Sequence, residues 1–308
     1  MTRVIVKLAA PTVDETFAAL GTDVRLIVTG RGAGAAVARA RAEILAYHAR
    51  LSRFEPASEL CALNRDPRTT VTASALLRGA VRAGLWAARE SGGLVDPCLL
   101  DALETAGYVR SHERSAGVSV PSARPAPATP HPAARWRDVH VDDAAGTITR
   151  PPGLRLDLGG SGKGHAADLV ARRLAGFAAW AVDCGGDLRL GGRREVEIAH
   201  PLRDGAAARL ALDAGAVATS SVVARVWITA GGRRAHHLLD PSTGRSAWTG
   251  LLTATALAPT TLHAETLAKV ALLRGPRGAR EVLRHHGGLI VHADGRVEAI
   301  GSLSELAA

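Results

Sequence analysis

One stretch, Leu154 to Gly176 (LRLDLGGSGKGHAADLVARRLAG), constrains this chain more than any other. It opens with Leu154, Leu156 and Leu158 alternating with polar residues, the period of a half-buried strand. The run Gly159-Gly160-Ser161-Gly162-Lys163-Gly164 follows, and side chains this small let a backbone turn sharply or lie against a ligand. Ala166, Leu169, Val170 and Leu174 then recur at helical spacing, and Gly176 supplies a stop. A strand, a glycine turn and a helix start aim free N–H groups and a positive dipole end at one point, which suits an anion such as a pyrophosphate. The pattern is neither GxGxxG nor a P-loop, so taken alone it equally describes a tight connection with no ligand.

The 308 residues suffice for one large domain or two intimate ones, with ample core. A net charge of +9 raises the question of nucleic acid. The arginines are scattered, however, with no long basic run, and aromatic residues make up only 3% of the chain, leaving few stacking groups. The expectation is a diffuse positive field that attracts small anions, and no nucleic-acid partner. Cys61, Cys98 and Cys184 make an odd count without metal spacing, so no disulfide framework is expected. Lys7, Pro11 and Asp14 interrupt the first residues, and no stretch reaches the roughly 18 apolar residues of a membrane span. These features predict a reduced, cytoplasmic protein with no membrane anchor in this chain.

Val24, Leu26 and Val28 predict a strand pair over Thr16–Thr29 that turns at Gly21. Ala36–Leu51 is predicted helical, as is Ala73–Glu90, where Leu76, Leu77, Ala80, Val81, Leu85 and Ala88 form a stripe that Gly92-Gly93 ends. The segments LSRFEPASELCALNRD and LVDPCLLDALETAGY mix turn residues with apolar anchors and carry no clear period. Ser111 to Ala134 is too rich in Pro and Ala for a regular element. The expectation is a mobile insertion at 111–134 within a single domain spanning 1–308. Trp180–Leu190 is predicted to run from a strand into a Gly-Gly-Asp turn, with several strands over Val196–Ile228. Hairpins are predicted at Gly231-Gly232 and Asp294-Gly295, and helices at Ala264–Leu273 and Ala279–His285. Strands outnumber helices and neighbour one another in sequence, which predicts an α+β fold with mixed, largely antiparallel sheets flanked by helices.

Several residues could carry chemistry. His236-His237 precedes a DPSTG turn, where a histidine serves as a general base, as a ligand or simply as a structural cap. Asp240 in that turn is equally a turn former. Glu265 and Lys269 lie four apart on one predicted helix face, either as a solvated ion pair or as two site residues. Asp157, Asp168, Asp183 and Asp187 flank glycine turns and read first as caps.

LDLGGSGKGHAAD resembles the DLGGxxKGxxxD signature of the FAD:protein FMN transferases, the ApbE-like flavin transferases. Companion motifs follow in the family's order: ALGT at Ala19–Thr22, SRFEPASELCALN at Ser52–Asn64, VDPCL at Val95–Leu99, VDCGGD at Val182–Asp187, ATSS at Ala218–Ser221, HLLDPSTG at His237–Gly244 and AETLAKVAL at Ala264–Leu272. The resemblance spans about Thr16 to Leu273 and implies an ApbE-like, tunnelling-fold-related architecture. It also implies FAD and Mg²⁺ as ligands, and an activity in which FMN is esterified through its phosphate onto a Thr or Ser of a target flavoprotein with release of AMP. An FAD pyrophosphatase giving FMN and AMP, and a non-catalytic FAD-binding module, are the alternatives.

By the same resemblance, FAD-contact positions fall on Leu20 (a Met in the family), Phe54 (often a Tyr), Leu94, Val95, Asp96, Gly159, His165 and Leu238. The histidine that activates the acceptor hydroxyl falls on His237. Metal positions fall on Gly162, through its carbonyl, and on Glu265, Ala268 and Lys269. The chain departs from the family where Glu265 and Lys269 replace Asp and Thr, where Ser221 replaces Gly, and where Gly162 replaces Ala. Glutamate can still ligate Mg²⁺, but a protonated lysine has no lone pair to offer.

Overall fold

The alternating segments assemble into one nine-stranded sheet. In the computed structural model, which describes residues 2–5, 11–110, 124–229 and 231–303, the sheet runs in the order Val297–Ile300, Gly288–His292, Leu251–Ala258, Ala206–Ser221, Asp187–Ala199, Ala179–Cys184, Thr22–Thr29 and Thr12–Ala19. Thr2–Ile5 pairs beside Asp187–Ala199. Each of these pairings is antiparallel. The expected α+β class is therefore the observed one. The predicted turns join the strands: Leu20-Gly21 closes the first hairpin and Gly185-Gly186 another, the two glycines at φ 72° and 94° where a side chain would be strained.

Register decides which face meets the helices. Val24, Leu26 and Val28 stand opposite Cys184, Val182 and Trp180, and directly opposed residues share a face. Following the pairs across the sheet places Asp187, Ala216, Ala218, Ala254 and Ala256 on that same face. Helix α1 (Ala33–Leu51) covers one part of it with Ala36, Val37, Ala40 and Ile44. The next helices in the chain are α2 (Glu59–Arg65), α3 (Ala75–Glu90) and α4 (Leu100–Thr105). Helix α5 (Gly162–Leu174) joins the α1 cluster through Ala167, Val170, Ala171 and Leu174. Helix α6 (Thr261–Leu283) lays Ala268, Ala271 and Leu272 over Leu252, Ala254 and Ala256. It breaks at Gly275 (φ 71°) before Pro276, which separates the two helical pieces expected from the sequence. Among the described residues no helix is long and apolar enough to cross a membrane.

Three expectations change. Leu154, Leu156 and Leu158 are buried as their alternation predicts, but the segment forms no strand. In place of a neighbouring strand, the Asn64 amide brackets Leu156, donating to its carbonyl and accepting from its N–H, both at 2.8 Å. Second, the unassigned LSRFEPASELCALNRD contains α2, whose Ser58 side chain accepts from Cys61 N, and LVDPCLLDALETAGY contains α4. Third, of the Pro/Ala-rich segment 111–134, residues 111–123 lie outside the described residues, and residues 124–134 are pinned to the core. Ala126 and Ala128 donate to the carbonyls of Trp248 and Leu273, and Thr129 N donates to Asp240 Oδ1. The Thr129 hydroxyl and carbonyl also bond Ser242, through its Oγ and its N–H.

Candidate functional site

A cavity of about 1160 Å³ opens between the α1–α5–α6 layer and the loops that carry the glycine turn. It exceeds the roughly 300–1,000 Å³ of an ordinary small-molecule pocket, which gives room for an extended ligand. The start of α5 forms part of the wall, with Gly159, Gly160, Ser161, Gly162 and Lys163 all lining it. Ser161 gives this helix no side-chain cap, whereas Ser58, Ser74 and Thr260 cap α2, α3 and α6. The N–H groups of Gly162 and Lys163, which no N-cap side chain takes, are donors for an anion.

Gly164, the third residue of this first turn, meets α6. A Cβ there would lie 2.7 Å from Leu262 Cα and 2.8 Å from Glu265 Oε2. The absent side chain lets Gly164 N donate to Glu265 Oε2 at 2.9 Å. Glu265 Oε1 accepts from Lys269 Nζ at 2.9 Å, so both carboxylate oxygens are engaged. The pair is therefore buried, not the solvated pair its spacing also allowed. Burial pushes Glu265 above the usual carboxylate range, against the opposing pull of the Lys269 ammonium. A second pair stands nearby: Lys163 of α5 donates to Asp187, which sheet register turns toward the helices. Burial pushes Lys163 down, but the charges of Asp187 and Glu265 hold it above its ordinary value.

The adjacent histidines separate cleanly. His236 Nε2 bonds the Ala247 carbonyl at 2.9 Å and its Nδ1 accepts from Leu238 N, so this ring is tied to backbone on both sides. His237 lines the cavity, and its Nδ1 is buried with no partner among the described residues. Burial first, then the charges of Arg225, Lys269 and Lys163 among others, push His237 well below the usual histidine range. The residue as a whole is half-buried, with one side on the cavity.

One wall of the cavity is aromatic. The Arg53 guanidinium lies 4.1 Å from the Phe54 ring centre and 4.6 Å from that of Tyr108, and its Nε bonds Asp157 at 2.7 Å. Tyr108 stacks on Trp227 with 10° between the planes. Such a surface suits a flat ring system. Leu20 also lines the cavity, in the left-handed region at φ 56°, where a leucine is strained by about 1–2 kcal/mol. Strain of this kind clusters at ligand sites.

Of the positions the sequence singled out, Leu20, Phe54, Leu94, Val95, Asp96, Gly159, Gly162, His237, Leu238 and Lys269 line the cavity. His165, Glu265 and Ala268 do not. His165 sits behind the wall and meets the Tyr47 hydroxyl at 3.2 Å through Nδ1, while Ala268 is packed in the α6 core. Asp168 is a cap, accepting from Thr261 N and Leu262 N at the start of α6. Asp240 is a turn residue, accepting from Ser242 N as well as Thr129 N. Sequence reasoning did not reach Tyr47, Arg53, Tyr108 or Arg225, all on the wall. Arg53 adjoins Phe54, which is the one signal that could have marked it.

The metal positions do not fit a divalent ion as they stand. Glu265 spends both oxygens on N–H donors, and Lys269 brings a donor where a ligand must bring a lone pair. Among the described residues no group of three or more His, Cys, Asp or Glu side chains converges to hold a metal.

Comparison with known proteins places the family and the fold. The ApbE family model matches residues 20–292. The FAD:protein FMN transferase of Escherichia coli K12 is 32% identical over 145 residues, covering 44% of this chain and 41% of that protein. The chain thus aligns with about two fifths of the length of the first curated relatives it matches. The FAD:protein FMN transferase of Treponema pallidum is 28% identical over 285 residues, covering 81% of this chain and 75% of the relative. Among solved structures, the ApbE protein of Thermotoga maritima superposes with a TM-score of 0.80 at 24% identity, covering 96% of this chain and 98% of the other. The apo flavinyl transferase ApbE of Pseudomonas stutzeri gives 0.76 at 21% identity, covering 98% of each chain. These two likenesses bear on the fold.

Proposed function

The chain belongs to the ApbE family, and from that premise we propose that it is an FAD:protein FMN transferase that attaches FMN through a phosphoester to a Thr or Ser of a target flavoprotein. One observation carries the reading: the imidazole of His237, a half-buried residue, lines the same cavity as the start of α5, where Ser161 supplies no side-chain cap. A base and an anion cradle on one wall are what transfer of a phosphoryl-linked group needs.

The step balances simply. His237 takes the proton of the acceptor hydroxyl, whose oxygen attacks the FMN-side phosphorus of FAD. The bond between that phosphorus and the bridging oxygen breaks, and AMP leaves with the bridging oxygen. The Gly162 and Lys163 N–H groups of α5 and the Lys163 ammonium bear on the charge of the phosphates. The FAD contacts we assign are Leu20, Phe54, Leu94, Val95, Asp96, Gly159 and Leu238, with His165 supporting the wall through Tyr47. The aromatic side, Phe54 with Tyr108, would take the flavin, and Leu94 to Asp96 the adenosine. The working compartment we assign is the cytoplasm, which three free thiols suit.

Incubation with FAD and an acceptor flavoprotein tests this. The expected result is flavin fluorescence on the acceptor that survives denaturation, with one AMP released per flavin attached. AMP and free FMN without a labelled acceptor would mean hydrolysis. Bound FAD without AMP would mean a carrier. Either result contradicts the proposal.

A further inference from the structure

Two ion pairs back the phosphate side of the cavity, and they are built alike. In Lys269–Glu265 the carboxylate side chain is 1% exposed and the ammonium side chain 11%. In Lys163–Asp187 the values are 2% and 19%. Each acid is sealed behind its lysine, and it is the lysines that line the cavity. An ammonium has three N–H donors and no acceptor. Each lysine gives one hydrogen bond to its carboxylate among the described residues, which leaves donors for a ligand. Arg225 adds a third cation to the wall, with hydrogen bonds to the Gly21 carbonyl and the Tyr108 hydroxyl.

Glu265 ties this arrangement to the anion cradle. Its second oxygen holds Gly164 N of α5, so the Lys269 ammonium is fixed one carboxylate away from the helix start. The close α5–α6 approach that Gly164 permits sets that spacing. A divalent ion entering here meets like charge and finds no free carboxylate oxygen on Glu265.

We infer that Lys269, held by Glu265, is a fixed cation for the diphosphate of the bound dinucleotide, so that this chain binds FAD without a divalent metal. The inference rests on the flavin reading above and goes beyond it by giving the charge-neutralising role to a side chain. Lys269 acts on the phosphate oxygens by donated hydrogen bonds and charge, and no proton or bond changes hands.

The test is titration of the unmodified chain with FAD, followed by flavin fluorescence, in EDTA and again in Mg²⁺. The two dissociation constants are expected to agree within about threefold. Binding that EDTA weakens tenfold or more, and Mg²⁺ restores, overturns the inference and leaves the flavin reading standing. No binding under either condition overturns both. In EDTA, Lys269→Thr is expected to weaken FAD tenfold or more and Lys269→Arg only a few fold; an unchanged Lys269→Thr affinity overturns the inference. Should Lys269→Thr fail to fold, phosphorus NMR of FAD bound to the unmodified chain decides. Stoichiometric Mn²⁺ is expected to leave the bound diphosphate lines sharp, and selective broadening of those lines would overturn the inference.

Discussion

The adjacent imidazoles of His236 and His237 differ in what they bond. His236 is held at both nitrogens by backbone, whereas His237 lines the cavity and its Nδ1 has no partner among the described residues. Replacing His237 by Ala should therefore lower transfer by about 10²–10⁴ while leaving FAD affinity within a few fold. Transfer assays beside a binding titration check this, and loss of binding together with loss of rate would make the residue structural. The doublet was visible in the sequence, but the choice between its members was not. It depends on Ala247 and Leu238 reaching one ring and not the other. The same holds for Glu265 and Lys269: their shared helix face was legible, whereas burial and the second partner, Gly164 N, come from a contact 101 residues away. Arg53 was missed because its role needs Asp157 and Tyr108, far along the chain.

At the scale of elements, the glycine turn and the helix after it were legible, and the strand before it was not. Alternating leucines report alternating burial, and at Leu154–Leu158 the burial is real while the pairing partner is the side chain of Asn64. Helices α2 and α4 were too short, at 7 and 6 residues, to display a period. The α5–α6 contact gives the sharpest prediction at this scale. Gly164→Ala drives a methyl group to within 2.7 Å of the Leu262 backbone, so one helix must shift. We expect a loss of about 1–3 kcal/mol in stability, read as a lower melting temperature, with weaker FAD binding as the cradle moves off Lys269. A variant as stable as the parent, with unchanged affinity, would show that α5 and α6 are not locked.

Across the whole molecule, buried titratable groups pull stability in opposite directions with pH. Burial lowers His165 and His236 to about 4, from the usual 6.5. The unfolded chain binds these protons first, so stability is lost as pH falls from 6.5 toward 4, by roughly 3 kcal/mol per histidine. Burial raises Asp183 from 3.8 to about 6, so the folded chain takes its proton first and gains stability over the fall from 6 toward 4. Asp183→Asn keeps an acceptor for Gly186 N and removes the buried charge. The variant should exceed the parent by up to about 3 kcal/mol at pH 7.5 and lose that margin by pH 4, as thermal melts at the two values will show. A margin that grows on acidification would reverse the assignment. The central claim is that the cavity reads a whole dinucleotide, with a flat ring against Phe54 and Tyr108, a diphosphate at α5 and an adenosine at Leu94 to Asp96. Competition titration of FAD, FMN and riboflavin by flavin fluorescence tests it most directly. FAD should bind at least tenfold tighter than FMN, or about 1.4 kcal/mol, and FMN tighter than riboflavin. Equal affinity for FAD and riboflavin would contradict the account.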